Sequence, residues 1–325
     1  MLAGIRLRSL STRGRLLVSG PDSTRFLHGM VTNDIERLAP GQGCRAVLLT
    51  VKGKMIAELA VYHCGDDGFL LEMEGNTSQE VLATMERHLI MDDVVIRPAG
   101  DGMDQLGVYG EGAAAALEAA IPGLDVASLP PYFHKVASGI RVARTPELGV
   151  AGFHLFASPD ALGELQGRLR AAGAEELPEE EAEVLRIEAG RPRYGLDMDQ
   201  ERLPIEANLD DAVSFTKGCY LGQEVIARVT ARGHVNRRLM GLRFPGSSAP
   251  PPRGTPLWHE SRPGKAGTVM SGVCSPRFGP IALGYVHRTL WQPGTELRVC
   301  GPQGEPEAEA IVCALPFSES TSQGS

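Results

Sequence analysis

Three apolar runs of strand composition follow one another with almost no chain between them: Ala46–Val51, Met55–Tyr62 and Phe69–Met73. Lys52-Gly53-Lys54 and the Gly65–Gly68 turn are the punctuation. A parallel crossover needs a dozen or more residues, so connections this short force an antiparallel sheet. Around that core the sequence adds a strand over Gly14–Ser19, closed by Gly20-Pro21. A helix follows, capped by Asp22 or Ser23, with Phe26, Leu27, Met30 and Val31 on one face, until Thr32-Asn33-Asp34 breaks it. After the third strand comes another helix. Asn76, Thr77 or Ser78 caps it, Val81, Leu82, Met85 and Leu89 form its buried stripe, and Val94–Ile96 is a strand.

The next block runs through a strand at Leu106–Tyr109, an alanine-rich helix over Glu111–Ala120, and strands at Ile140–Ala143 and Phe153–Phe156. Ser158-Pro159 opens a helix with Leu162, Leu165 and Leu169 as its stripe and Gly173 at its end. The order suggests a structural echo of the first block, with no sequence repeat to support it. A helix over Glu179–Ala189 stops at Gly190, and its crowd of glutamates reads as a solvated face favoured by the helix dipole. Pro245–Pro256 is a linker or long turn. Short strands at Gly267–Met270, Ile281–Val286, Glu296–Cys300 and Ala308–Leu315 then point to a small β-barrel or sandwich before a frayed polar end at Ser318–Ser325.

Composition excludes several classes. The chain has 325 residues, 42% hydrophobic and 22% charged, with a net charge of −8. That suits two or three globular domains and argues against wholesale binding to nucleic acid or an acidic membrane. Six cysteines show no C-x-x-C pair, which fits a reducing cytosol. No apolar run is long enough to span a bilayer. Met1–Arg15 holds four arginines and no acid, faintly like a transit peptide, but strand-like Leu16-Leu17-Val18 follows at once, so a solvated start to the first strand is expected.

The chemically distinctive stretch is Lys217-Gly218-Cys219-Tyr220-Leu221-Gly222-Gln223-Glu224. Its two glycines suggest a turn where backbone comes close to something. Val225, Ile226 and Val229 then fit one face of a short helix. Cys219 would lie ahead of that helix and two residues from Lys217, both of which favour a thiolate. A small buried apolar residue is the alternative. A basic tail follows: Arg228, Arg232, His234, Arg237, Arg238 and Arg243.

This octapeptide resembles the signature of the YgfZ-type folate-binding proteins, relatives of the glycine-cleavage T-protein tied to tRNA modification and iron–sulfur enzymes. Phe26-Leu27 through Val31-Thr32-Asn33-Asp34, Arg186-Ile187-Glu188-Ala189-Gly190-Arg191-Pro192 and the Ser275-Pro276, Ile281–Val286 and Leu315-Pro316-Phe317 segments resemble the same superfamily. The resemblance implies an α+β, T-protein-like three-domain ring with a C-terminal β-barrel. The divisions expected are 1–105, 106–235 with the Lys-Gly-Cys motif, 236–317 for the barrel, and a tail at 318–325. It also implies that tetrahydrofolate or a one-carbon derivative binds, with Glu188 on the pterin ring, where a carboxylate accepts two hydrogen bonds as a fork. Asn33, Lys217, Arg228 and Arg238 complete the expected cofactor set, since arginine suits the folate glutamate carboxylates.

Two functions remain in view, besides an interaction scaffold that retains the fold but no ligand. One is a cytoplasmic, monomeric accessory protein that supports iron–sulfur client enzymes or assembly proteins through Cys219. The other is an aminomethyltransferase or folate-dependent demethylase. In T-proteins a steering aspartate opens the helix after the third strand, and alignment places Val81 there, beside Gln79 and Glu80. That difference and the octapeptide favour the accessory reading.

Overall fold

A computed structural model describes residues 2–231, 233, 235–300 and 306–318, and the chain forms two compact units. Unit 1 comprises residues 1–178 and 210–228; unit 2 comprises 179–209 and 229–325.

Unit 1 opens with β1 (Arg6–Ser9). The first block is β2 (Gly14–Ser19), α1 (Ser23–Met30), β3 (Gly43–Leu49), β4 (Met55–His63), β5 (Phe69–Met73), α2 (Ser78–His88) and β6 (Val95–Pro98). The second is β7 (Asp104–Tyr109), α3 (Ala113–Ala120), β8 (His134–Ala137), β9 (Ile140–Arg144), β10 (Gly152–Ala157), α4 (Pro159–Ala171) and β11 (Glu175–Glu176). Strand, helix, three strands, helix, strand occurs twice. The sheets repeat too: β3-β4-β5-β2-β6 in the first, and β8-β9-β10-β7-β1-β11 in the second, with β1 inserted before the last strand. The echo is therefore real at the level of topology.

Each sheet buries one face under its own helices. Phe26, Leu27, Met30, Val81 and Met85 close the first core, and Ala113, Leu117, Leu162, Leu165 and Leu169 close the second. The arginine-rich opening is not a solvated lead-in. Arg6–Ser9 pairs with both β7 and β11, and Leu7 is fully buried between them. The alternation that marks a strand was masked by arginines whose charges find carboxylates: Arg6 lies 3.0 Å from Glu175 and Arg8 3.7 Å from Glu147. Asp22 is the residue before α1 but does not cap it; its carboxylate accepts from the Asp93 N–H at 2.9 Å.

Unit 2 contains α5 (Glu179–Glu188) and a closed barrel. A sixth helix, α6 (Gln223–Ala231), is the short helix expected after Gly222. The barrel strands are β12 (Arg237–Arg243), β13 (Pro256–His259), β14 (Arg262–Ser275), β15 (Gly279–His287), β16 (Glu296–Cys300) and β17 (Pro306–Cys313). The run read as a basic tail is thus in part barrel strand β12: Leu242 packs in one cluster with Val269, Ala282 and Val286, while Leu239, on the opposite face, packs with Ile187, Leu283 and Tyr285. Arg232, His234 and residues 319–325 lie outside the described residues. Among the described residues no helix is long and apolar enough to cross a membrane.

Candidate functional site

In unit 1 the turn after α1 and the chain after residue 209 are bonded into one structure. The Thr32 hydroxyl donates to the Ala212 carbonyl at 2.6 Å and accepts from the Val47 N–H at 2.8 Å. The Ser214 N–H returns a bond to the Thr32 carbonyl at 2.9 Å. Asn33 Nδ2 donates to the carbonyls of Arg45 at 2.7 Å and Asp211 at 3.1 Å, and its Oδ1 accepts from the Asp34 N–H at 2.8 Å. Arg45, 4% exposed, is clamped by Glu58 at 2.5 Å and Asp211 at 3.1 Å. Arg45 and Asp211 carry no motif of their own, and sequence reasoning passed them over.

Lys217 enters this turn from the other side. Its ammonium donates to the carbonyls of His28, of Val31 at 2.8 Å and of Asn33 at 2.9 Å, and lies 5.1 Å from the Tyr220 ring centroid. An ammonium has three donors, and the carbonyl end of α1 engages all of them. Lys217 is therefore a cap for α1 rather than a cation directed at the neighbouring thiol. Burial pulls its pKa down to about 8, opposed by Asp34, Cys44 and Glu36.

Only one of the two motif glycines meets the expected close approach. Gly222 has φ +79°, and a Cβ there would sit 2.5 Å from the Thr50 carbonyl; at Gly218 nothing lies within 4 Å. The Gly222 crossing seats the loop on the Thr50–Lys54 turn, where Gly53 in turn clears Val225. Cys219 is exposed and lines a cavity of about 460 Å³ with Gly29, Met30, Val51, His88 and Tyr220–Glu224. Three residues, Tyr220, Leu221 and Gly222, separate Cys219 from Gln223, the first residue of α6. Arg228 is exposed and bonds Glu224 one turn back at 2.6 Å.

In unit 2, Glu188 is the last residue of α5 and is 7% exposed. The Ser275 hydroxyl donates to Glu188 Oε1 at 2.5 Å, and Arg277 Nη1 lies 3.3 Å from Oε2. Ser275 Oγ is itself held by the N–H groups of Arg277 and Phe278, each at 3.0 Å. Two residues before Glu188, Arg186 donates to Asp197 at 2.7 Å, to the Glu183 carboxylate at 2.7 and 2.9 Å, and to the Arg191 carbonyl at 2.6 Å. Asp197 is fully buried and also accepts from the N–H groups of Arg193 and Ser271, each at 3.0 Å. Gly190, at φ +68°, turns the chain where a Cβ would strike Leu315 at 2.7 Å. Arg238 donates to Asn208 Oδ1 at 2.6 Å, and Asn208 holds a left-handed backbone, φ +59°, while its Nδ2 donates to the Leu239 carbonyl. Asp197 was not singled out from sequence, and Ser275 was quoted only as part of a barrel segment, because their partners lie far along the chain.

Of the expected residues, Asn33 and Lys217 thus meet in unit 1, with Cys219 and Arg228 farther along the same loop and helix. Glu188 and Arg238 belong to unit 2. Val81 is fully buried on the inward face of α2, and Glu80 is exposed. Among the described residues no group of three or more His, Cys, Asp or Glu side chains could hold a metal ion.

Doubled sheet-and-helix blocks followed by a closed six-stranded barrel, with a buried Arg-x-Glu-x-Gly-x-Pro segment, define a T-protein-like architecture. The chain belongs to the glycine-cleavage T-protein family: a GCVT N-terminal domain matches residues 4–217, and a glycine cleavage T-protein C-terminal barrel domain matches residues 237–318. It is 30% identical over 307 residues to an aminomethyltransferase of Prochlorococcus marinus (strain MIT 9303), covering 89% of this chain and 81% of that one. An aminomethyltransferase of Bordetella pertussis is 31% identical over 315 residues, covering 92% and 81%. The crystal structure of glycine cleavage system aminomethyltransferase T from Bartonella henselae shares the fold, with a TM-score of 0.88 at 24% identity, covering 98% of this chain and 87% of that one.

These relatives correct the expectation of an accessory protein serving iron–sulfur enzymes. Proteins similar along most of the chain are named aminomethyltransferase, and the octapeptide is too short a stretch to outweigh them. The three donors of the Lys217 ammonium are engaged by the carbonyls of His28, Val31 and Asn33. Proteins of this family use tetrahydrofolate.

Proposed function

We propose that the chain is a tetrahydrofolate-dependent one-carbon transferase of the aminomethyltransferase kind. The observation that carries this reading is the 30% identity to aminomethyltransferases over 89% of the chain. Tetrahydrofolate, when bound, supplies the nitrogen that takes up the one-carbon unit. In this reading Glu188 holds the pterin ring. A carboxylate has about four acceptor positions, and Ser275 and Arg277 use two of them, which leaves two for a ring N–H and an exocyclic amine. Arg238 would pair with a carboxylate of the folate tail. Because Val81 is apolar and buried, proton handling falls to another group, and the neighbouring Glu80 is the carboxylate tested first. Within the family the Lys-Gly-Cys octapeptide supports a place on the YgfZ-type branch, without adding a function.

The test supplies tetrahydrofolate and an aminomethylated lipoyl carrier protein and follows methylene-tetrahydrofolate and ammonia. Turnover well above the uncatalysed rate is expected, and Glu80→Gln should lower it. Tight folate binding with no turnover would reject the transferase.

A further inference from the structure

The two sheets of unit 1 meet through the faces that their helices leave uncovered. The apolar part of that seam is small: Tyr62 and Leu70 from the first sheet meet Ala143 and Phe156 from the second. Beside it lies a buried charged cluster that the folate chemistry does not use. At its centre Glu72 of β5 and His154 of β10, 1% and 2% exposed, face each other from equivalent strands of the two blocks.

His154 is bracketed by acids. Its Nδ1 lies 2.8 Å from Glu72 Oε1, and its Nε2 lies 2.9 Å from Glu147 Oε2 on the β9–β10 connection and 3.0 Å from the Tyr109 hydroxyl of β7. Glu72 also accepts from Gln105 of β7 at 2.7 Å and from the Tyr62 hydroxyl of β4 at 3.1 Å. Arg13, from the β1–β2 turn, is 3.1 Å from Glu72, 2.6 Å from Glu74 and 3.8 Å from Glu147, and Arg8 of β1 flanks Glu147. Glu58, Arg15 and Asp104 act on the cluster from farther out.

We propose that His154 is a proton-operated clasp between the two sheets of unit 1, closed while the imidazole is charged and opened when its proton leaves. Glu72 lies within hydrogen-bond distance of Nδ1, and Glu147 lies within ion-pair distance of Nε2, whose hydrogen-bond partner is the Tyr109 hydroxyl, so only a charged imidazole attracts both acids. With the proton present, Arg8, Arg13 and His154 balance Glu72, Glu74 and Glu147. Without it, two buried carboxylates keep their charges and lose the cation between them, which is costly where water cannot replace it.

The direction in pH follows from the same contacts. Burial alone would lower the His154 pKa, but Glu72 and Glu147 outweigh it and raise it to about 9. A raised folded value means that the contribution is complete below the ordinary 6.5 and is lost as pH rises through about 9. Burial favours protonated Glu72, yet His154 and Arg13 hold its pKa down to about 2; Glu147 is also pulled well below the usual range, by Arg13 and His154 against burial. Neither acid therefore opens the clasp until the solution is strongly acidic.

The decisive experiment is a histidine-selective NMR titration of the full chain from pH 5 to 10, paired with amide exchange across β5, β7 and β10. His154 should titrate near pH 9, well above the ordinary 6.5. Protection of those three strands, corrected for intrinsic exchange, should fall together by about tenfold per pH unit between 6.5 and 9. His154→Gln should show low protection already at pH 6, with little further dependence on pH. A His154 midpoint at or below 6.5 would overturn the proposal, as would a His154→Gln profile that tracks the parent. Should the variant fail to fold, the parent's imidazole midpoint decides alone.

Discussion

Replacing Asp197 by alanine tests how Glu188 is held in place. Asp197 is fully buried and contacts no expected ligand atom, yet it joins Arg186, Arg193 and Ser271. Breaking a buried ion pair from one side costs about 3 to 5 kcal/mol. Arg186 keeps both Glu183 bonds and the Arg191 carbonyl, so the low end of that range applies. The two half-buried N–H groups left without Asp197 add about 0.5 kcal/mol each, for a total of about 4 kcal/mol. Asp197→Asn retains an amide oxygen and should lose about half as much. Both tryptophans, Trp258 and Trp291, belong to unit 2, so denaturant unfolding followed by tryptophan fluorescence reads this unit. Alanine should shift the midpoint markedly, asparagine roughly half as far, and folate affinity should fall in both because Arg186 no longer fixes the end of α5. A loss below about 1 kcal/mol for alanine, or equal losses for both variants, would refute the argument.

Other substitutions test separate parts. Glu188→Ala should weaken tetrahydrofolate binding by about tenfold or more in calorimetry, as loss of a charged fork implies; an unchanged dissociation constant removes Glu188 from the site. Gly222→Ala should cost about 2 kcal/mol or more, because φ is positive and the Thr50 carbonyl blocks a Cβ, whereas Gly218→Ala should be nearly neutral in the same melt. In the native protein, Cys219 and Cys274 should react with a thiol reagent well ahead of the rest, since both are exposed. Cys44 should be the slowest, because burial pushes its pKa up to about 12. Mass mapping of the labelled sites checks the order.

Short-range chemistry was legible in the sequence. Hairpin spacing set the antiparallel sheets, proline after serine marked the start of α4, and the Ser158 hydroxyl caps it by accepting from the Ala161 N–H. The apolar run after the Gly65–Gly68 turn located Phe69–Met73 to the residue. The helix expected over Glu179–Ala189 runs Glu179–Glu188. These features depend on neighbours within a few residues, so composition and period suffice to read them.

Long-range partnership was not legible, for the same reason. Lys217 beside Cys219 suggested an activated thiol, but the carbonyls that claim the ammonium come from His28, Val31 and Asn33, far back in the chain. Arg6–Ser9 resembled a solvated basic lead because its carboxylate partners and its two flanking strands lie about a hundred residues or more away. Glu72 and His154 carry no motif, and each would be an isolated charge in an apolar strand. Only the stacking of two topologically repeated sheets sets an acid against a base, because burial of either ion alone would cost more than the strand could supply.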